Sequence, residues 1–325
     1  MVEEFAAGQP IRLLVRGIRM QAEGIHAFHL VHPDGGELPR VEAGAHVDVH
    51  LPGGVLRSYS LAGNPQDRSC WTLGVLRESN GRGGSQAMHE SVRVGALLTL
   101  SWPRNAFALV DGASNTVLLA GGIGITPLKA MAHVLASRGA SFELHYCART
   151  VKHAAFLDEL HTIVPPDRLH LHHDGGERSK ALDIASLLAN PATGTHLYFC
   201  GPGGFMEACA QAAKHWPEGT VHSEYFKAPE RPKSADAPIG TFEVKLARTG
   251  ASVHVRPDQT IVRALELAGH RIPTSCLSGL CGSCKVNYLE GEVDHQDYIL
   301  SDEEKKHCMT ACVSRAKSRL LVLDI

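Results

Sequence analysis

Several things are missing from this sequence of 325 residues, and each absence excludes something. No apolar run approaches the roughly 18 residues that a membrane-spanning helix requires. The first residues carry Glu3 and Glu4 where a secretory leader would carry basic ones, so a cytoplasmic protein without a membrane partner is expected. Net charge is nearly absent: 32 Lys and Arg against 34 Asp and Glu leave −2, which provides no basic field for a nucleic-acid backbone. No internal repeat is visible. No His-Glu-x-x-His motif occurs, and none of the 9 cysteines is followed two places on by histidine, so neither a zincin nor a Rieske centre is written here.

What is present divides along the chain. From Ile11 to Trp102, short apolar and alternating runs (IRLLVRGI, AFHLVH, HVDVHL, LRSYSL, WTLGVL, ALLTL) are separated by Gly, Pro and Asp clusters, the pattern of an antiparallel β-barrel. Beyond Asn115, strand-like TVLLA, FELHYCA, LHLHH and THLYFC alternate with helical PLKAMAHVLASRG and KHAAFLDELHTIV, which predicts an α/β parallel sheet with crossover helices. The segment KAPERPKSADAP lacks apolar periodicity and reads as a linker. Past it, FEVKLA, SVHVR, helical IVRALELAG and a final RLLVLDI predict a small α+β domain. The expected boundaries are 1–109, 110–228, a linker at 229–238, and 239–325.

The last domain holds the sharpest signal. Cys276, Cys281 and Cys284 form Cys-x4-Cys-x2-Cys, and Cys312 follows in ACVSRA; this is the plant-type [2Fe-2S] spacing. Four thiolates must surround two irons, and one loop supplies three of them only if its backbone curls, a freedom that Gly279 and Gly282 provide. A four-cysteine zinc site more often shows two Cys-x2-Cys pairs, and only one is present. Cys308 competes for the fourth position, but Cys312, at the entry to the final strands, is preferred. Cys70, Cys147, Cys200 and Cys209 are scattered and read as core residues. His170, His172 and His173 tempt a second metal site, yet alternation along a strand splits them between faces, so surface or core histidines are expected.

Two glycine turns mark the middle domain. TVLLA runs into Gly121, Gly122 and Gly124 and then a helix, where Thr126 can cap and Pro127 fits the first turn. The second turn, Gly201-Pro202-Gly203-Gly204, follows THLYFC. Turns of this kind let a backbone approach a pyrophosphate at helix amides. In the first domain, Arg57, Ser58, Tyr59 and Ser60 on a strand and the Gly83-Gly84-Ser85 turn opening a helix are suited to grip a phosphate.

Taken in order, R-S-Y-S, G-G-I-G-I-T-P, C-G-P-G-G-F-M, the cysteine loop and A-C-V-S-R resemble the phthalate dioxygenase reductase family within the ferredoxin-NADP reductase superfamily. HYCAR, YILSDEE and CVSRAKS are similar to the reductase components of vanillate O-demethylase. The resemblance implies FMN held by Arg57, Tyr59 and Ser60, with its phosphate at Gly83, Gly84 and Ser85. It implies that hydride arrives from NADH beside Ser60, and that Gly122, Thr126, Arg149, Cys200 and Met206 line the NAD site with Phe226 near one of the two rings. Ser60, Cys200 and Phe226 are the expected catalytic residues. It also implies a monomer that passes single electrons from a cluster near −400 mV to the Rieske centre of an oxygenase component. Two other functions stay open: reduction of a haem monooxygenase, and a non-catalytic redox sensor. Arg149 at a strand end would also suit the 2′-phosphate of NADPH.

Overall fold

The computed structural model describes residues 5–81, 83–228 and 240–325; the expected linker at 229–238 lies outside them. The chain divides into two compact units, Met1–Phe226 and Lys227–Ile325.

In the first unit, β1 (Ile11–Ala22), β2 (Ile25–Val31), β3 (Ala45–Leu51), β4 (Val55–Ser60), β5 (Trp71–Leu76), β6 (Leu97–Leu100) and β7 (Arg104–Asn105) make one antiparallel sheet, ordered β4-β3-β6-β1-β2-β5 with β7 on β3. Alternation drives it: Ile11, Leu13 and Val15 are buried while Arg12 and Arg16 are exposed. These side chains pack on Phe28, Leu30, Val47, Val49 and Leu73. The expected barrel is not closed by a continuous ladder. Among the described residues its end strands meet through the Leu61–Leu73 bridge and the bond from Ala62 N to Thr72 O at 2.8 Å. Helix α1 (Gly84–Ser91) follows β5.

The second sheet is wholly parallel and ordered β10-β9-β8-β11-β12, from β8 (Asn115–Gly121), β9 (Phe142–Ala148), β10 (Leu169–His173), β11 (Thr195–Cys200) and β12 (Val221–Glu224). Helices α2 (Ile125–Ser137) and α3 (Leu157–Ile163) bury Leu118, Ala120, Leu144 and Tyr146 on one face. On the other, α4 (Ile184–Leu188) and α5 (Gly203–Ala212) cover Leu119, Leu197 and Phe199. The chain first winds outward from β8 to β10 and then returns to β11, so the order reverses between β8 and β11, where ligands of such sheets bind. Helix α3 is shorter than the periodicity of KHAAFLDELHTIV predicts. Phe156, buried in the core, takes φ 64° and delays the helix to Leu157.

The second unit contains a mixed sheet ordered β14-β13-β19-β15-β17, from β13 (Phe242–Leu246), β14 (Ser252–Val255), β15 (Lys285–Glu290), β17 (Cys308–Thr310) and β19 (Leu320–Leu323). Strands β16 (Val293–Asp294) and β18 (Arg315–Ala316) form a separate ribbon. Helix α6 (Ile261–Leu267) is capped by Thr260, whose side chain accepts from Arg263 N, and buries Ile261, Ala264 and Leu265 against Phe242 and Val255.

Candidate functional site

The cysteine loop joins α6 to β15. Its curl uses three left-handed residues, Leu277 at φ 53°, Gly279 at 71° and Gly282 at 70°. A Cβ at Gly279 would stand 2.7 Å from Val313 and 3.1 Å from the Asp297 backbone, so only glycine lets the loop lie on its neighbours. The four expected sulfurs fall into two pairs. Cys276 acts chiefly on Cys281, and Cys284 on Cys312, through the bond each thiol can share with its neighbour. In each pair that bond pushes one thiol up and pulls the other down: Cys276 rises while Cys281 falls to about 4, and Cys312 rises while Cys284 falls.

Backbone amides supply the compensation. Ser278 N donates to Cys276 Sγ at 3.4 Å, and the Gly279 amide faces Cys312. Among the described residues, no three of these sulfurs lie within 4.8 Å of one another. A single tetrahedral ion with sulfurs at about 2.3 Å would draw all four to about 3.8 Å, so two separated pairs suit two irons better than one zinc. Cys308 is turned away from the loop, with its Sγ 3.1 Å from Glu304 O.

In the first unit the two glycine turns touch. Strands β8 and β11 pair with Ala120 opposite Cys200. A Cβ at Gly124 would sit 2.1 Å from Cys200 O, and one at Gly201 would sit 3.0 Å from Gly121 Cα. Glycine is demanded here by one backbone lying on another rather than by a left-handed φ. Gly122, at φ 53°, has open space beside it.

The expected cap at Thr126 is corrected. Gly124 precedes the helix without a side-chain cap, and Thr126 Oγ1 donates to Ile123 O at 3.0 Å from inside the first turn. The methyl of Thr126 instead meets β5, where a Cβ at Gly74 would lie 2.6 Å from it. Arg149 is exposed just past the end of β9, and its carbonyl accepts from Gly175 N at 2.7 Å. Met206 is fully buried with Leu119, Phe199 and Trp216, so its side chain packs the core beneath the second turn.

On the flavin side, the Arg57 chain lies directly over Gly84: a Cβ there would be 2.3 Å from Arg57 Cγ and 2.6 Å from its Nε. Gly83 leads into α1 with φ 79° and no side-chain cap, so the first helix amides remain available beside a guanidinium. This is the chemistry of a phosphate grip. Ser85 Oγ accepts from Glu78 N at 3.0 Å. Tyr59 is pushed up by burial, whereas the Ser58 hydroxyl is committed to Asp48 at 2.6 Å.

Ser60 is buried at the end of β4, and its Oγ donates to Glu224 Oε2 at 3.1 Å across 164 residues. Burial raises the Glu224 carboxyl to about 7, partly offset by that hydrogen bond. Burial, and then the Glu224 charge, raise the Cys200 thiol. Ser60, Cys200 and Glu224 therefore meet where the barrel-like sheet faces the switch point. Phe226, two residues beyond Glu224, is 41% exposed and so is not a core residue.

Sequence reasoning missed Glu224 and also Lys129. Lys129 is buried on α2, donates to Ala62 O at 2.9 Å, pairs with Glu159 and lies over the Phe156 ring, which binds the two sheets of this unit together. A lysine inside an otherwise apolar helix (PLKAMA) was the available signal for the second; nothing local marked the first.

Comparison with known proteins fits this geometry. Residues 244–317 match the 2Fe-2S iron-sulfur cluster binding domain, and 101–221 match the N-terminal domain of dimethylamine monooxygenase subunit DmmA-like proteins. The chain is 49% identical to the tert-butanol monooxygenase / tert-amyl alcohol desaturase reductase subunit of Aquincola tertiaricarbonis, covering 97% of this chain and 96% of that one. It is 46% identical to the vanillate O-demethylase oxidoreductase of Pseudomonas sp. strain HR199 / DSM 7063, covering 97% and 100%.

Among solved structures, phthalate dioxygenase reductase, described as modular for electron transfer from pyridine nucleotides to [2Fe-2S], superposes with a TM-score of 0.72 at 40% identity over 97% and 98% of the two chains. An intact type IV self-sufficient cytochrome P450 monooxygenase superposes with a TM-score of 0.89 at 36% identity. There the match covers 99% of this chain but 43% of that protein. With near-complete coverage at these identities, the chain belongs to the family of oxygenase reductases that includes vanillate O-demethylase oxidoreductase and phthalate dioxygenase reductase.

Proposed function

We propose that this protein is the NADH-dependent reductase component of a Rieske-type aromatic-ring oxygenase or O-demethylase system, working as a cytoplasmic monomer with FMN and a [2Fe-2S] cluster. Among the described residues no helix is long and apolar enough to cross a membrane, which agrees with that setting. When bound, FMN and the cluster would supply the conversion of a two-electron hydride donor into one-electron steps. The chain's own residues do the rest.

Arg57 and the α1 amides bind the flavin phosphate, and Tyr59 and Ser60 flank the ring. The Gly121–Gly124 and Gly201–Pro202 turns accept the pyrophosphate of NADH, with Arg149 at the ribose end and Phe226 beside a ring. Ser60 and Glu224 hold a proton between them at the edge of the hydride site, and Cys200 fills the space behind it. Cys276, Cys281, Cys284 and Cys312 hold the irons, their negative charge met by the loop amides. The three regions 1–109, 110–228 and 239–325 are read as the flavin, nucleotide and cluster domains.

The Cys-x4-Cys-x2-Cys loop with Cys312, inside the stretch that matches the 2Fe-2S cluster binding domain, carries this reading, because such a cluster takes and gives one electron at a time. The test uses flavin-loaded, iron-loaded protein. NADH should reduce both ferricyanide and a Rieske oxygenase, and Cys281→Ser should keep the first activity and lose the second. An unchanged second activity overturns the proposal. A haem monooxygenase as acceptor is the second reading, favoured by the superposition on a P450 system over 99% of this chain. NADH oxidation that couples to a haem acceptor and not to a Rieske oxygenase would select it.

A further inference from the structure

The nucleotide sheet carries a cluster of side chains that the proposed electron path does not use. Strand β9 places Glu143 and His145 at alternate positions, and the edge strand β10 does the same with His170 and His172. The strands are parallel, with His170 opposite His145 and His172 opposite Cys147. Alternation therefore gathers all four onto one face, while Leu144, Tyr146, Leu169 and Leu171 go to the other face and its core. Alternation within LHLHH separates only His173 from this group; the partner strand supplies what one strand cannot.

The geometry is that of a ligand set. One donor atom each from Glu143, His145 and His170 lies within 4.8 Å of the other two. Glu143 Oε2 is 3.4 Å from His145 Nε2 and 4.0 Å from His170 Nε2. Ligands at about 2.0–2.1 Å around a tetrahedral ion stand about 3.4 Å apart, a spacing that Glu143 and His145 already have, whereas His170 must close on them by roughly half an ångström or more. The His145 and His170 rings are stacked with centroids 4.5 Å apart, so the partly exposed His170 ring has to swing out of the stack for both nitrogens to aim at one ion. His145 is buried, so its orientation is set by packing. Its other nitrogen, Nδ1, stands 3.2 Å from His172 Nε2.

We propose that Glu143, His145 and His170 form a site for one divalent transition ion of the zinc class, with His172 holding the His145 ring from behind. Two imidazoles and one carboxylate suit such an ion and not the all-oxygen preference of Mg²⁺ or Ca²⁺. Binding through Nε2 requires the His145 proton on Nδ1, where His172 Nε2 accepts it, the arrangement by which an outer partner fixes a ligand's tautomer. The Glu143 and His170 side chains are 49% and 38% exposed, which leaves a fourth position to water and gives the ion a direct path in and out. A bound ion would tie the edge strand to its neighbour.

The test is calorimetric titration of flavin-loaded, cluster-loaded protein with Zn²⁺, monitoring the visible spectrum throughout. Wild type should take up one equivalent without loss of the cluster bands. His170→Asn and Glu143→Gln, both at partly exposed positions, should weaken uptake by at least about tenfold while leaving NADH–ferricyanide activity unchanged. His196→Asn, at the paired histidines near the opposite edge of the sheet, should bind as wild type does. Equal binding in wild type and both site variants, no binding in wild type, or zinc uptake only as the cluster bleaches would each overturn the proposal.

Discussion

The cysteine loop and the proposed hydride site are built by opposite means. The loop draws three ligands from nine consecutive residues, Cys276 to Cys284, and curls them inward with left-handed residues that the local sequence dictates. The hydride site draws Ser60, Cys200 and Glu224 from the ends of three strands in two different sheets. One is a local device that a motif can encode. The other exists only because β4, β11 and β12 finish near one point, and its parts are ordinary residues until the fold brings them together.

Breaking each device separates them. The largest effect is expected at the loop: Cys312→Ser should abolish the [2Fe-2S] absorption and bring reduction of a protein acceptor to background, whereas Cys308→Ser should leave both intact. Loss of the cluster bands in the Cys308 variant would reassign the fourth ligand. Next comes the phosphate grip, where Arg57→Ala removes charged hydrogen bonds worth about 1.5–3 kcal/mol each and should weaken FMN binding roughly ten- to hundredfold by fluorescence titration. FMN affinity unchanged by that substitution would place the phosphate elsewhere.

A smaller loss is expected at the contact between the two turns. Gly124→Ala drives a methyl to 2.1 Å from Cys200 O, and because a backbone must give way, about 1–3 kcal/mol of stability should be lost together with a higher KM for NADH. Denaturation midpoints and KM values equal to wild type would mean that the turns separate freely.

The last effect concerns Glu224 and is read as a change with pH. Its carboxyl is raised to about 7 by burial, so the folded protein holds this proton more tightly than the unfolded chain does. Its contribution is therefore neutral below the ordinary carboxylate range and increasingly destabilising as pH climbs toward about 7, with the full cost present above. Glu224→Gln removes that cost, so the thermal midpoint of the variant should gain on wild type as pH rises from 5 to 8. A gap that stays constant with pH would show that the carboxyl is not perturbed.

Much of this was legible in the residues alone. Apolar alternation located six strands of the first sheet and four of the second, because a half-buried strand must alternate and a doubly covered one must be apolar throughout; the short β7 and β12, without such a run, escaped it. The cysteine spacing identified the metal chemistry, because thiolate ligands within one loop are constrained by chain length. Less legible were features that depend on distant partners. Closure of the first sheet is one: among the described residues β4 and β5 meet at the Leu61–Leu73 bridge and not through a ladder. Thr126 packs on Gly74 instead of capping, because β5 lies against that helix turn.

Tertiary structure alone decided the pairing of Ser60 with Glu224 and of His145 with His170. Each joins residues that only strand order and register bring within reach, and neither order nor register is encoded in the spacing of residues along a single segment.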